Sequence, residues 1–416
     1  MTIDLASRAG IEDHPSSENP TWGTDAMRIF FSAGEPSGDL HGANLMRSLR
    51  GRHADVDFVG FGGDKMQAAG CQLLYPLSQL ALMGIFKVVA TAPTFLSLLS
   101  RADRFFKHQR PDAVVLIDYP GFNWWIARRA HFHGIPVFYF VPPQLWAWAG
   151  WRVKKMRRFV DHVLCSLPFE EQWYRDRGVA AHYVGHPYFD ELPAQQLDAE
   201  FLSRHSQNPV VALLPGSRNQ EVNRNLPMLI ESAQLIHKAR PDARFLVANY
   251  KQSQQQHTDA HVQGCGLPIE THVGRTSEII HVARACIAVS GSVGLELLHH
   301  GTPSTVVYKI DAFEMWMFNK LRTTRFISLV NLLAQKELFP EFLTTCSQAE
   351  AMAGQVLGWL NDDHQYGRIR GELAALRNRV AQPGACSRAA DFIVDVVRRR
   401  MGQPKSSGSA RLTVAA

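Results

Sequence analysis

Four segments of the chain set carboxylates, an arginine and small residues where an apolar run gives way to glycine. In SAGEPSGDLHGAN (32–44), Gly34, Gly38 and Gly42 surround Glu35, Ser37 and Asp39. Small residues let a ligand approach the backbone, and a helix start favours anions. Two acids beside them sit awkwardly with phosphate, which points to hydroxyl recognition or acid–base work. The spacing is neither GxGxxG nor a phosphate loop ending in GK[ST]. In VVLIDYPGFN (114–123) an apolar strand delivers Asp118 at its carboxyl end, just before a Pro-Gly turn. An acid there is costly unless it is paired or functional; the plain alternative is a turn cap. LLPGSRNQEV (213–222) ends a buried strand in Pro-Gly-Ser-Arg. Free N–H groups at the following helix start, the Ser217 hydroxyl and the Arg218 guanidinium are suited to a diphosphate, unless this is a simple turn with a surface Arg. AVSGSVGLELLHHGTP (288–303) repeats the arrangement, with Ser290 and Gly291 in the turn and Glu296 in the helix, where a carboxylate can accept from both ribose hydroxyls or simply be solvated.

Two further segments bear on partners. VPPQLWAWAGWRVKKMRR (141–158) sets Trp146, Trp148 and Trp151 among and before Arg152, Lys154, Lys155, Arg157 and Arg158. That combination fits a sugar phosphate, a lipid headgroup or single-stranded nucleic acid, and equally core tryptophans before a solvated helix face. LALMGIFKVVATAPTFLSLLS (80–100) is apolar but interrupted by Lys87 and Pro93. Its Met83, Ile85, Phe86, Phe95, Leu96 and Leu99 either enter one leaflet or hold acyl chains, or form a buried helix pair. Neither His299–His300 nor His131/His133 has the HExxH spacing, and the six cysteines have no CxxC spacing. The expectation is therefore reduced cysteines, no metal and no cofactor.

These residues need a scaffold that converges strand ends. RIFFSA (28–33), VDFVGFG (56–62), AVVLIDY (113–119), PVFYFVP (136–142) and DHVLCSL (161–167) form one series of apolar runs separated by helix-length segments. VVALLPGSR (210–218), ARFLVANY (243–250), ACIAVSGS (285–292) and TPSTVVYKI (302–310) form a second. Strands alternating with helices predict an α/β protein of two doubly wound, Rossmann-like domains facing a cleft, with ligands beyond the carboxyl ends of the strands. The expected divisions are a disordered leader (1–26), an N-terminal acceptor and lipid-side domain (27–186), a linker (187–208), a C-terminal nucleotide-sugar domain (209–345), C-terminal helices (346–400) and a disordered tail (401–416). A chain of 416 residues with 46% hydrophobic and 20% charged residues excludes disordered, collagenous and small disulfide-scaffold classes. The net charge of +6 fits an anionic ligand, membrane surface or nucleic acid without choosing among them. The start of the chain has no signal-peptide core, and no apolar run reaches about 18 residues, so a cytoplasmic protein without a membrane-spanning helix is expected.

Taken together, AGEPSGDLHGA, GFGGDKMQAAG, ALMGIFKVV, IDYPGFN, PPQLWAW, LPFEEQWY, VGHPYFDEL, LLPGSRNQEV, SGSVGLELL and SLVNLLA run in order along nearly the whole chain. The set resembles the lipid-A-disaccharide synthase family, inverting glycosyltransferases of GT-B fold. The resemblance implies transfer of 2,3-diacylglucosamine from UDP-2,3-diacylglucosamine to 2,3-diacylglucosamine 1-phosphate (lipid X). The products are a β-1,6-linked disaccharide 1-phosphate and UDP. It implies metal-independent work on the inner face of the inner membrane of Gram-negative-type bacteria, with no nucleic-acid partner; a homodimer is left open. It places the family's required aspartate at Asp118, its diphosphate-loop arginine at Arg218, its motif glutamate at Glu35 and an asparagine at Asn331, with the uracil and ribose side near Ser290, Gly291 and Glu296. Gly34, Ser37 and Ser217 join the substrate side, and Trp146, Trp148, Met83 and Phe86 the acceptor and lipid side. The chain departs from the family's usual residues at Tyr119, Gly121, Pro142 and Val330. Asp118 is the favoured general base, with Glu35 and Asp39 as alternatives or as groups that orient acceptor hydroxyls. The competing readings are a 2-epimerase or the peptidoglycan transferase of the same fold, or a non-catalytic basic protein that binds lipid or nucleic acid. The apolar 80–100 segment argues against the first, and carboxylates beside Gly-rich loops against the second.

Overall fold

The computed structural model describes residues 26–78 and 88–402. Met83, Phe86, nearly all of the expected leader and most of the expected tail lie outside these residues. The first sheet is built from β1 (Met27–Ala33), β2 (Val56–Phe61), β3 (Cys71–Tyr75), β4 (Ala113–Ile117), β5 (Val137–Phe140), β6 (His162–Cys165) and β7 (Ala181–Tyr183), in the order β3-β2-β1-β4-β5-β6-β7. The second uses β8 (Val210–Leu214), β9 (Arg244–Asn249), β10 (Ile269–Val273), β11 (Ala283–Val289), β12 (Ser304–Lys309) and β13 (Glu341–Thr344), in the order β10-β9-β8-β11-β12-β13. The pairings flanking β1 and β8 are parallel, as the alternation of strand and helix requires.

In both sheets the strand order reverses direction beside the first strand, between β1 and β4 and between β8 and β11. The crevice at such a reversal is where doubly wound sheets bind ligands. Glu35 follows β1, Asp118 follows β4, Ser217 and Arg218 follow β8, and Ser290 follows β11. The four motifs picked out by residue type thus occupy the two reversal points.

Apolar layers cover both faces of each sheet. Phe30, Val114, Leu116 and Tyr139 face one layer of the first sheet, and Phe31, Val115 and Phe138 the other. The C-terminal helices divide between the halves. Met352, Val356 and Trp359 of the helix Ala349–Asn361 pack on the second sheet. Ile393, Val394 and Val397 of the last helix, Ala385–Met401, return to the first. Segment 187–208 is more than a tether: Phe189, Leu192 and Phe201 are buried in a core layer of the second domain. The Asp190 carboxylate accepts from the backbone N–H groups of Gly384, Ala385 and Cys386, tying the two crossings of the chain together. Among the described residues all cysteines are free, and no helix is long and apolar enough to cross a membrane.

Candidate functional site

β4 is buried along its whole length and stops at Ile117. Asp118 and Tyr119 then both take left-handed backbone, with φ of 42° and 48°, before Pro120 starts the helix Pro120–Phe132. Such a conformation costs a non-glycine residue on the order of 1 kcal/mol or more unless its surroundings impose it. Here they do. The Asp118 carbonyl accepts from Asn123 Nδ2 and from the Tyr139 hydroxyl, each at 2.7 Å. Asn123 Nδ2 also reaches the carbonyls of Ser32 and Ile117, both at 3.2 Å, while Asn123 Oδ1 accepts from the Ser32 hydroxyl at 2.7 Å. The turn therefore presents the Asp118 carboxyl toward the cleft from a fixed base. Burial, and next the charge of Glu35, raise its pKa from 3.8 to about 6; the Tyr119 N–H and Arg218 pull the other way.

Gly34 is where this turn meets the first motif. A Cβ there would lie 2.1 Å from the Tyr119 ring, so the ring requires glycine beneath it. Glu35 caps the helix Pro36–Arg52 with its backbone only, leaving its carboxylate free to face the cleft; Ser37 sits partly exposed in the first turn. Glu35 Oε2 lies 3.7 Å from Arg218 Nη2 of the second domain. Asp39 departs from the expectation of a base or a hydroxyl ligand. It is buried, and its carboxylate accepts the N–H groups of Gly63, Lys65 and Met66 at 2.8, 3.0 and 3.1 Å. With its oxygens engaged at the start of the helix Asp64–Ala68, it holds two loops together.

Across the cleft, Gly216 takes φ 113° and the helix Asn219–Ala239 begins after Arg218. Two of the N–H groups leading into this helix, expected to be free, are already engaged by the helix's own first turn. Ser217 and Arg218 both donate their backbone N–H to Glu221 Oε2 at 3.1 Å, and Arg218 Nη1 donates to Glu221 Oε1 at 3.0 Å. Glu221 stands three residues after the N-cap, the spacing of a capping box, which was the signal for it. Buried Gln254 braces the same turn, donating to the Ser217 carbonyl at 2.9 Å and accepting from the Tyr250 N–H at 3.1 Å. The Ser217 hydroxyl and Arg218 remain exposed toward the cleft.

Gly291 is exposed in the turn after β11, and Ser290 donates to the Ile327 carbonyl at 2.9 Å. The Glu296 carboxylate, pushed up by burial, accepts from the Ser277 hydroxyl. Asn331 is fully buried and committed: its Nδ2 donates to the Phe339 carbonyl and Glu341, and its Oδ1 accepts from Leu338 and Phe339 N–H at 2.8 and 2.9 Å. It fastens the 328–341 loop and has no spare donor for a nucleotide. His41, His186 and Tyr188 pack edge-on and stacked near the domain junction, where Tyr188 and Ser292 hydroxyls approach to 3.4 Å. Burial, with Lys65 next, holds His41 down to about 4, and burial also lowers His186, so both are neutral near pH 7.

The expected lipid side also changes. Trp146 is buried and donates its indole N–H to Glu170 at 2.9 Å, so it packs between elements and offers no face to a lipid. Phe95 packs at a tilt against core Phe122, and Leu99 is buried, leaving Leu96 as the exposed side chain of those three. Trp148 and Trp151 are exposed, with Arg152 over both rings. The helix Ala312–Leu321 has no buried residue and turns Phe313, Trp316, Met317 and Leu321 outward. Lys320 lies over Trp316 at 4.4 Å, and the Thr323 N–H donates to the Ala147 carbonyl at 2.9 Å. Exposed aromatic residues of both domains thus carry cations over their rings, and the Thr323 bond brings the end of this helix to the Trp146–Trp148 segment. The signal in 312–321 was its run of six large apolar side chains, none of them among the residues singled out by type and spacing.

A family model described as lipid-A-disaccharide synthetase matches residues 29–396. A lipid-A-disaccharide synthase of Myxococcus xanthus is 34% identical over 378 residues, covering 90% of this chain and 98% of that one. One from Coxiella burnetii is 32% identical over 373 residues, covering 89% and 98%. Among solved structures, Staphylococcus aureus MnaA with UDP aligns at a TM-score of 0.65 and 9% identity, covering 92% of this chain and all of that one. Medicago truncatula UGT71G1 with UDP-glucose aligns at 0.58 and 14%, covering 89% and 98%. These structures share the two-domain fold.

Proposed function

The chain belongs to the lipid-A-disaccharide synthetase family, a glycosyltransferase of lipid A biosynthesis, and from that premise we propose how its cleft carries out the transfer. The donor is UDP-2,3-diacylglucosamine and the acceptor 2,3-diacylglucosamine 1-phosphate. The acceptor 6-hydroxyl attacks the anomeric carbon from the face opposite UDP. As the new C1–O6 bond forms, the bond from C1 to the diphosphate oxygen breaks. Asp118 takes the hydroxyl proton. Its carboxyl, raised to about 6, is ionised at neutral pH yet more basic than an ordinary aspartate, which suits a general base. Arg218 offsets the charge that develops on departing UDP, with the Ser217 hydroxyl beside it. Glu35, between Asp118 and Arg218, orients acceptor hydroxyls. Ser290, Gly291 and Glu296 lie on the uridine side.

The observation that carries this reading is the meeting of the two reversal points. Asp118 responds to both Glu35 and Arg218, and Glu35 stands 3.7 Å from Arg218 across the cleft. The acyl chains of both sugars favour work at a membrane surface, since exposing them costs roughly 0.8 kcal/mol per CH₂. The outward Phe313, Trp316, Met317, Trp148 and Trp151, with Arg152 and Lys320 among them, support an anionic inner-membrane surface as the place of work. The test is UDP release with each sugar omitted in turn, and the mass of the lipid product. The transfer reading requires both sugars and a disaccharide 1-phosphate. Conversion of the UDP-sugar without acceptor would instead favour an epimerase.

A further inference from the structure

We propose that His205, Glu270 and His272 form a site for a divalent transition-metal ion of the zinc class, which pins the helix after the domain crossing to the edge of the second sheet. Glu270 and His272 are two apart on β10, so the strand's pleat puts both on one face. His205 follows the short helix Ala199–Arg204, whose Phe201 packs against the His272 ring. Sequence spacing could not reveal this set, because folding alone brings its parts together.

The geometry matches a small cation. His205 Nε2 and His272 Nε2 lie 3.8 and 3.5 Å from Glu270 Oε2, and the ligand atoms of all three lie within 4.8 Å of one another. Tetrahedral ligands at about 2.0–2.1 Å from zinc are roughly 3.3–3.4 Å apart, so a modest closure would complete the site. Both imidazole Nε2 atoms are buried, and neither makes a hydrogen bond of ordinary length and angle among the described residues; the group both face is Glu270 Oε2. Buried polar nitrogens are rarely left this way, and here two of them face one carboxylate. Two nitrogens and one oxygen select zinc, cobalt or nickel over calcium or magnesium, which prefer all-oxygen sets. The exposed Glu270 gives access from solvent and leaves room for a water as fourth ligand.

The frame is held independently of any ion. Asp198 caps the helix through the N–H groups of Glu200 and Phe201 and pairs with Arg275 at 2.9 Å, just beyond β10. Buried Phe201 packs against the rings of both histidines, with centroids 4.5 and 5.0 Å away. These contacts set both imidazoles before binding. None of the cleft residues assigned to transfer takes part, so the proposal stands apart from the reaction.

The test uses the full-length protein, stripped of metal by chelation and titrated with Co²⁺ and with Zn²⁺. We expect one equivalent bound, visible Co²⁺ bands of a four- or five-coordinate site, and a higher melting temperature with Zn²⁺. Glu270→Gln, at an exposed position, and His272→Gln should each weaken binding by about 100-fold or more and abolish the melting shift. His281→Gln serves as control: His281 and His300 meet at 3.4 Å but gather no third ligand among the described residues. It should bind as wild type does. Absence of stoichiometric Co²⁺ binding by the folded wild type would overturn the proposal. So would wild-type affinity in both Glu270→Gln and His272→Gln, or loss of binding in His281→Gln alone.

Discussion

Replacing Asp118 with Asn should make the protein more stable and nearly inactive at once. Burial, and then Glu35, raise the carboxyl from 3.8 to about 6. A carboxyl shifted this way carries no penalty below its unfolded value. The penalty grows as pH rises between the two values and is complete above the folded one. At about 1.36 kcal/mol per pKa unit the full penalty is about 3 kcal/mol, reached by pH 7.5, and roughly half of it remains at pH 5. Asn removes the charge, tolerates the left-handed backbone and can still accept the Tyr119 N–H. Urea denaturation should therefore find Asp118→Asn more stable than wild type by up to about 3 kcal/mol at pH 7.5, with the gap shrinking toward pH 5. Turnover should fall by about 10²–10⁴-fold. A variant less stable than wild type at pH 7.5, or a gap that does not change with pH, would refute the electrostatic reasoning. Near wild-type turnover would make Asp118 a turn cap and move the base to Glu35.

Arg218→Ala should weaken donor binding and slow transfer by a combined ~1.5–3 kcal/mol, read from kcat/KM and from UDP titration; unchanged values would move the diphosphate away from this turn. Gly34→Ala puts a methyl where the Tyr119 ring lies, so it should lower both stability and turnover by displacing the Asp118 turn; an unaltered enzyme would show that the ring moves freely. Phe313→Ser with Trp316→Ser should reduce salt-resistant sedimentation with anionic vesicles while leaving the melting temperature within about 2 °C, because neither side chain is buried. Equal sedimentation of this variant and wild type at high salt would remove that helix from the membrane face.

The central strands were legible because burial on both faces makes them continuous apolar runs, as in RIFFSA of β1 and in β4, β8 and β11. The four strands that the pattern did not reveal, β3, β7, β10 and β13, are the edges of the two sheets, where partly exposed residues dilute the signal. Asp118 and Arg218 stood out because a charge at the end of an apolar strand is unusual and the reversal points gather such ends. Asp39 and Asn331 looked equally suited to ligands. The partners of Asp39 are backbone groups of another loop, and those of Asn331 lie across the turn of its own loop, which only the fold supplies. Trp146 and Trp148 are two residues apart, yet one is sealed against Glu170 and the other faces out. The Phe313–Leu321 surface was hidden for the converse reason, since exposed aromatic side chains carry the composition of a core.

The most direct test of the account is the pH profile of kcat/KM for disaccharide formation, which reports the groups of the free enzyme. If Asp118 is the base, activity in the wild type should fall on the acid side with a midpoint near 6, the value set by burial and Glu35, and the residual activity of Asp118→Asn should lose that limb. A wild-type profile that stays flat from about pH 5 to 8, or the same acid limb persisting in Asp118→Asn, would contradict it.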